Sequence, residues 1–458
     1  MTSVPARVFE QIDADFPDHL DRIRAYLRQP SVAALGDGIE AGAELTAELI
    51  AAAGGKAEIA ATPGSPAVLG RLEGDGGHLL RYGMYDVQPA DEPGWASPPF
   101  AAHIRTVSGL GKCVIARGAA NSKGCLSAFL LAVESLRKVA DLPVSITMMV
   151  DGEEELGSPN LPGVIAAHKE DLAAVDAAFD LDLMADPGGV ADVYLGVKGI
   201  LSFRLVARGG DHGGPVDRAL HSSSGAAVAS PAWSLVQVLD TLVGPDESPR
   251  MPGIVPAVVP TEDEPLLSAL AEQVDVDGWL VQQGAVSAKT GTDRKALVRA
   301  LLYDYALNIN GLESGYPAGG KTIIPHRAEA VLDLRFPCGA PVEAIIEGLR
   351  KTVLETAPGV EATDIEICPA ARTSASSSVA RAMIASHHDA GAGARVWPSA
   401  PWWAPYYLFE QELGLDFAIG GAGHCGGAHA ANEYATVDGL RAHMKQSVAF
   451  LYRFARSA

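Results

Sequence analysis

Residues 144–158 read VSITMMVDGEEELGS, and the fold follows from how this stretch is taken. VSITMMV is short and uncharged, as expected of a strand buried on both faces, and it stops abruptly at an acidic turn. Strands buried on both faces belong to parallel sheets, so Glu153, Glu154 and Glu155 are expected at a sheet's carboxyl edge. Upstream, AVLGRLEG and HLLRYGMYDV read as strands, and EAGAELTAELIAAAG reads as a helix ended by glycine. After the loop ARGAANSKG, the segment CLSAFLLAVESLRKVA carries apolar residues at i, i+3, i+4 spacing and is a helix. This β–loop–α–β order predicts an α/β fold with a mostly parallel sheet.

From about Lys198 the texture changes. GILSFRLVARGG alternates like a half-exposed strand, and SPAWSLVQVLDTLV is an amphipathic helix. AEAVLDLRF and the helix PVEAIIEGLRKTVLE continue an α+β pattern, which predicts a second domain at residues 198–374. It would be inserted between residues 1–197 and 375–458. DFAIGG and GLRAHMKQSVAFLYRFA supply a strand and closing helix that return to the first domain.

A chain of 458 residues is long for one core, which agrees with two domains. The net charge of −21 argues against nucleic acid or an anionic membrane surface as partner. No run approaches the roughly 20 apolar residues that cross a bilayer, and the N-terminus lacks the apolar core of a signal peptide. The five cysteines are scattered, odd in number and without a CxxC pair, which predicts reduced thiols in a cytoplasmic protein.

Polar groups gather at several positions expected at strand ends: Asp86, Asn121, Glu153–Glu155, Asp182 and His429. Singly, each reads as a solvated loop residue or a helix cap. Together, carboxylates and a histidine at separate strand ends are what a divalent ion needs. YGMYDVQPADEPGWASPPF, ARGAANSKG, DGEEELGS, LHSSSG and AHAANEY occur in the order found in M20 metallopeptidases and amidohydrolases. The chain resembles that family, nearest its carnosine dipeptidase branch. The resemblance implies a catalytic α/β domain and an inserted ferredoxin-like lid through which two subunits dimerise. It also implies hydrolysis of a small amide at two bridged zinc ions.

Carried over residue by residue, the resemblance makes Glu154 the general base and Glu155 and His429 ligands of one metal. Asp182 becomes a ligand of the other, with Asp180 and Asp186 as alternatives. Asp86 becomes the acid behind the ligands. His221 in the lid would reach a partner subunit's site and stabilise the oxyanion there, and Arg335 would hold a substrate carboxylate. Glu153 reads as a turn residue, and Lys123 as a helix-start residue or a partner for an acid.

Three features depart from the family. Met84 stands where the family has a histidine ligand, and Asn121 where it has the bridging aspartate. A neutral amide offers one oxygen and no charge, and a thioether prefers soft ions. Trp402 and Trp403 replace small residues lining the substrate pocket; they either narrow it toward flat aromatic groups or pack internally. His424, five residues before His429, is a candidate replacement ligand. The expectation is a hydrolase that splits the C–N bond of small, carboxylate-bearing substrates, aromatic ones included. It would use one divalent transition metal, zinc or manganese, at Glu155 and His429 with help from Asn121 or Asp182. The alternatives are a metal-free acid/base enzyme and a non-catalytic binding protein on the same fold.

Overall fold

The computed structural model describes residues 4–316 and 320–456. They form two compact units. The first runs to Gly196 and resumes at Arg372–Pro398 and from Ala404 onward; the second is Val197–Ala371 with Ser399–Trp403.

The first unit is built on an eight-stranded sheet. Its order is Lys56–Ala60, Ala67–Leu72, Ser145–Asp151, His78–Met84, Ala177–Leu181, Phe417–Gly420, Val190–Tyr194 and Gly393–Trp397. Ser145–Asp151, His78–Met84, Ala177–Leu181 and Phe417–Gly420 run parallel, and Val190–Tyr194 pairs parallel with Gly393–Trp397. The first two strands are antiparallel additions at one edge. All seven residues of His78–Met84 are buried, as a central parallel strand requires. Helices Lys123–Val139 and Val437–Phe454 meet this sheet through Phe129, Phe179 and Phe450, with ring centroids 5.8 and 4.8 Å apart. Arg81 lies inside this core, ion-paired with Asp180 and over the Phe129 and Phe179 rings. Tyr406 donates to the other Asp180 oxygen at 2.5 Å, so the buried carboxylate is shared rather than isolated.

The sequence reading did not foresee a small antiparallel sheet in this unit. It joins Cys425–Gly426, Tyr434–Thr436, Gly111–Ile115 and His103–Val107. It brings the segment after His429 alongside the chain that leads to Asn121.

The second unit has an antiparallel sheet in the order Ala306–Ser314, Arg327–Phe336, Gly199–Arg208, Val360–Cys368. Helix Pro231–Leu242 lies between the first and second strands in sequence, and Val342–Thr356 between the third and fourth. That is the βαββαβ order of a ferredoxin-like domain. Leu201, Phe203, Leu205, Leu332 and Leu334 alternate inward against Leu235, Val238, Ile345 and Leu349 of the two helices. Three further helices, Glu264–Gln273, Val276–Gln283 and Arg294–Tyr303, occupy the stretch between Pro231–Leu242 and Ala306–Ser314. Among the described residues, no helix is long and apolar enough to cross a membrane.

Candidate active site

Two neighbouring parallel strands end together, because Met84 pairs in register with Asp151. This places Asp86, just beyond one strand, against the turn that follows the other. Asp86 is fully buried, and its two oxygens accept the backbone N–H groups of Glu154 (3.2 Å) and Glu155 (3.1 Å). Burial, with Asp151 nearby, pushes its carboxyl well above the usual range. Glu153 pins the same turn from the other side. Its carboxylate accepts Ser65 N–H at 2.7 Å and Asn160 Nδ2 at 2.6 Å, so this turn residue is an anchor.

Held this way, the Glu154 carboxyl is pushed well above the ordinary carboxylate range by burial, then by Glu155, Asp86, Asp151 and Asp180. It therefore retains a proton more readily than a free glutamate does. Glu155 is placed differently. Its Oε1 lies 3.2 Å from His429 Nε2 and accepts Asn121 Nδ2 at 2.9 Å. Asn121 Nδ2 is also 2.9 Å from His429 Nε2. Gln88 Nε2 donates to the remaining Glu155 oxygen at 2.8 Å. The contact with Glu155 raises the pKa of His429 against the opposing effect of burial.

The Asn121 loop is fixed by a residue that the sequence reading passed over. Glu433 is fully buried; its Oε1 accepts the N–H groups of Ala120 (2.8 Å) and Asn121 (2.9 Å), and its Oε2 accepts Arg117 Nη1 (2.9 Å). Arg117 in turn pairs with Glu92 at 2.6 Å and lies over the Trp95 ring. Lys123, two residues past Asn121, does not bind an acid. Its buried ammonium donates to Gln29 O (2.6 Å) and Ser31 Oγ (3.0 Å), and burial pulls its pKa down to about 7. Ser31 Oγ donates to Tyr85 O at 2.6 Å, which ties this helix start to the backbone beside Asp86. Gln88 and Glu433 sit in the same motifs as Asp86 and His429, two and four residues on. That proximity was the available signal.

Asp182 follows directly on the strand Ala177–Leu181. Burial and Asp180 push its carboxyl up to about 7, and its Oδ1 has no hydrogen-bond partner among the described residues. Met84 is buried, 5% exposed. His424 does not serve as a replacement ligand. Its Nδ1 donates to Ala185 O at 2.8 Å, which leaves Nε2 to accept from the Tyr434 hydroxyl at 3.1 Å.

The donor set decides what ion the site suits. Among the described residues, no three of His, Cys, Asp and Glu come together as a metal site. Met84 offers a thioether and Asn121 an amide, both poor donors for a hard or borderline divalent ion. One position does fit. There a carboxylate oxygen and an imidazole nitrogen converge, with the Asn121 amide nitrogen 2.9 Å from each.

The remaining candidates lie in the second unit. His221 accepts Ser223 N–H on Nδ1 at 3.2 Å, so its neutral form carries the proton on Nε2, an exposed donor near Thr322 Oγ1. Arg335, on Arg327–Phe336, pairs through Nε with Asp333 at 3.3 Å. Trp402 and Trp403 are half-buried and belong to this unit, and Trp403 Nε1 donates to Pro369 O at 3.0 Å. Packing thus accounts for at least one of the two indoles.

Comparison with known proteins agrees with this arrangement. Residues 81–457 match the model of peptidase family M20/M25/M40. The Cys-Gly metallodipeptidase dug1 of Schizosaccharomyces pombe is 29% identical over 294 residues, which is 60% of this chain and 56% of the relative. The human Beta-Ala-His dipeptidase is 28% identical over 290 residues, 62% of this chain and 55% of the relative. The matched stretch thus spans about half the length of these curated relatives. Among solved structures, the M20 family metallo-carboxypeptidase Sso-CP2 from Sulfolobus solfataricus superposes with a TM-score of 0.86 at 31% identity. That match covers 96% of this chain and 99% of the other. The family match over most of the chain, the shared fold and the five ordered motifs lead to one assignment: this chain belongs to peptidase family M20/M25/M40.

Proposed function

We propose that the chain is a hydrolase that splits the amide or peptide C–N bond of a small, carboxylate-bearing substrate, using one divalent transition-metal ion, zinc or manganese. The observation that carries this reading is the convergence of Glu155 Oε1 and His429 Nε2, 3.2 Å apart, beside a Glu154 held on the same Asp86 carboxylate. The named relatives are metallodipeptidases, which supports the reaction class. An ion held by Glu155 and His429 supplies Lewis acidity toward a substrate carbonyl.

The chain's own residues supply the rest. Glu154 takes up and returns the proton, a role suited to a carboxyl whose pKa lies above the usual range. Asp86 keeps both glutamates in place through their backbone. His221 Nε2–H is the donor proposed for the oxyanion, and Arg335 the group for the substrate carboxylate. Asp182 is retained as a supplementary ligand. Trp402 is the indole proposed to favour a flat, aromatic substrate over an ordinary dipeptide. Cys113, Cys125, Cys368 and Cys425 are free thiols, which supports a reducing, cytoplasmic setting. Dimerisation through the lid is part of the same proposal, and a monomeric mass in solution would refute it.

The metal-free acid/base reading has one observation in its favour: the Asn121 amide already satisfies both Glu155 and His429. Metal analysis together with a Glu154→Gln variant separates the two. About one ion per chain, with hydrolysis of dipeptides or N-acyl amino acids lost in the variant, supports the hydrolase. Activity that survives chelation but is lost in Glu154→Gln supports the metal-free enzyme. Absence of both bound ion and activation by Zn²⁺, Mn²⁺ or Co²⁺ sinks the metal reading.

A further inference from the structure

The triangle formed by Asn121, Glu155 and His429 does more than lack a ligand. Asn121 Nδ2 lies 2.9 Å from Glu155 Oε1 and 2.9 Å from His429 Nε2, and those two atoms are 3.2 Å apart. An amide NH2 has two hydrogens: one bonds Glu155 Oε1, and the other meets the Nε2 lone pair of His429 when the imidazole is neutral with its proton on Nδ1. The opposite orientation would press the amide oxygen against a carboxylate oxygen at the same distance. It would also break the bond from Ser122 Oγ to Asn121 Oδ1, which is 3.1 Å long. The amide therefore turns its nitrogen inward. Gln88 satisfies the other Glu155 oxygen at 2.8 Å, so both carboxylate oxygens are bonded without an ion. Glu433 grips the Asn121 backbone N–H at 2.9 Å and keeps the amide within reach. An aspartate at this position would bring only lone pairs to a carboxylate and an imidazole, and would need a cation to hold the three together.

We propose that Asn121 is an internal stand-in for the cation: its NH2 group joins Glu155 to His429 and keeps that position closed until an ion displaces it. The inference rests on the reading of Glu155 and His429 as the ion's ligands. On binding, the ion must break both amide contacts, so Asn121 opposes loading rather than assisting it. Removing the side chain is expected to tighten binding, whereas removing a true oxygen ligand would weaken it.

The test is calorimetric titration of Zn²⁺ into the chelator-stripped full chain, with melting temperatures of the stripped proteins measured in parallel. Asn121→Ala is expected to bind Zn²⁺ on the order of tenfold more tightly, the change that corresponds to about 1.4 kcal/mol of lost hydrogen bonding. Its stripped form should melt below the wild type. Unchanged or weaker binding by Asn121→Ala overturns the proposal. Gln88→Ala is expected to bring no gain, since the Gln88 amide donates to Glu155 and does not bridge it to His429; an equal gain would assign the effect to loosening of Glu155 and overturn the role of Asn121. If Asn121→Ala/His429→Ala binds as tightly as Asn121→Ala, the ion sits elsewhere, and the reading of the ligands fails together with what rests on it. Asn121→Ser, too short to bridge both partners, repeats the test if the alanine variant does not fold.

Discussion

Glu433 is a carboxyl at full burial, and its environment explains how it is accommodated. One oxygen takes two backbone amides and the other takes Arg117, itself 1% exposed. Breaking a buried pair leaves the surviving charge uncompensated, at a cost of about 3–5 kcal/mol. Glu92 still reaches Arg117, so Glu433→Ala should fall at the low end, about 3 kcal/mol, in urea unfolding. The same variant frees the Asn121 backbone, which a changed Zn²⁺ affinity would register. A loss below about 0.5 kcal/mol would mean that the pair carries little of the loop's stability. At this scale the sequence was legible wherever chemistry and a strand end coincide. Asp86, Glu154, Glu155 and His429 sit in short ordered motifs, and the structure brings them to one place. Glu433 escaped because its partners lie 313 and 316 residues away, and a buried charge resembles a solvated one until those partners are known.

Helix Lys123–Val139 begins directly after the Asn121 loop, and its second residue shows how tightly that start is built. A Cβ on Gly124 would lie 2.3 Å from Ala119 O, a backbone atom that cannot step aside, while Gly124 N–H bonds Gly118 O at 2.9 Å. Gly124→Ala should therefore cost about 1–3 kcal/mol through backbone displacement, although alanine is the better helix former. Thermal unfolding that matches wild type would show that the loop yields. The periodic elements were readable: the parallel strands, the apolar-faced helix after ARGAANSKG and the closing helix all form. The small antiparallel sheet was not, because Cys425–Gly426 and Tyr434–Thr436 are too short to show a period. The helices Glu264–Gln273, Val276–Gln283 and Arg294–Tyr303 also went unread. They are eight to ten residues long and interrupted by polar loops, so each offers only about two to three turns of pattern.

Across the whole molecule, buried ionisable groups pull stability in opposite directions with pH. Asp86, Glu154 and Glu433 have raised pKa values, so the folded chain takes up their protons before the unfolded chain does. Acidification therefore favours folding at those three sites. Buried histidines act the other way. His387, on helix Ser378–Asp389, is fully buried; neither ring nitrogen has a hydrogen-bond partner among the described residues, and burial lowers its pKa to about 4. His443 is lowered to about 3 in the same sense. A histidine whose folded pKa lies below its unfolded value contributes its full stability above roughly pH 6.5 and loses it progressively as pH falls toward the folded value. The total profile mixes both signs, so a difference measurement is needed to isolate one group. His387→Leu keeps a similar volume and cannot titrate. Its unfolding free energy relative to wild type should rise as pH falls, by about 1.4 kcal/mol per unit between pH 6.5 and 4. Urea unfolding at pH 6.5 and pH 5 should thus show the gap shifting by about 2 kcal/mol toward the variant. A gap that stays constant across those two pH values would mean that His387 titrates alike in the folded and unfolded chains. The helix that carries it would then open to solvent well before the rest of the unit unfolds.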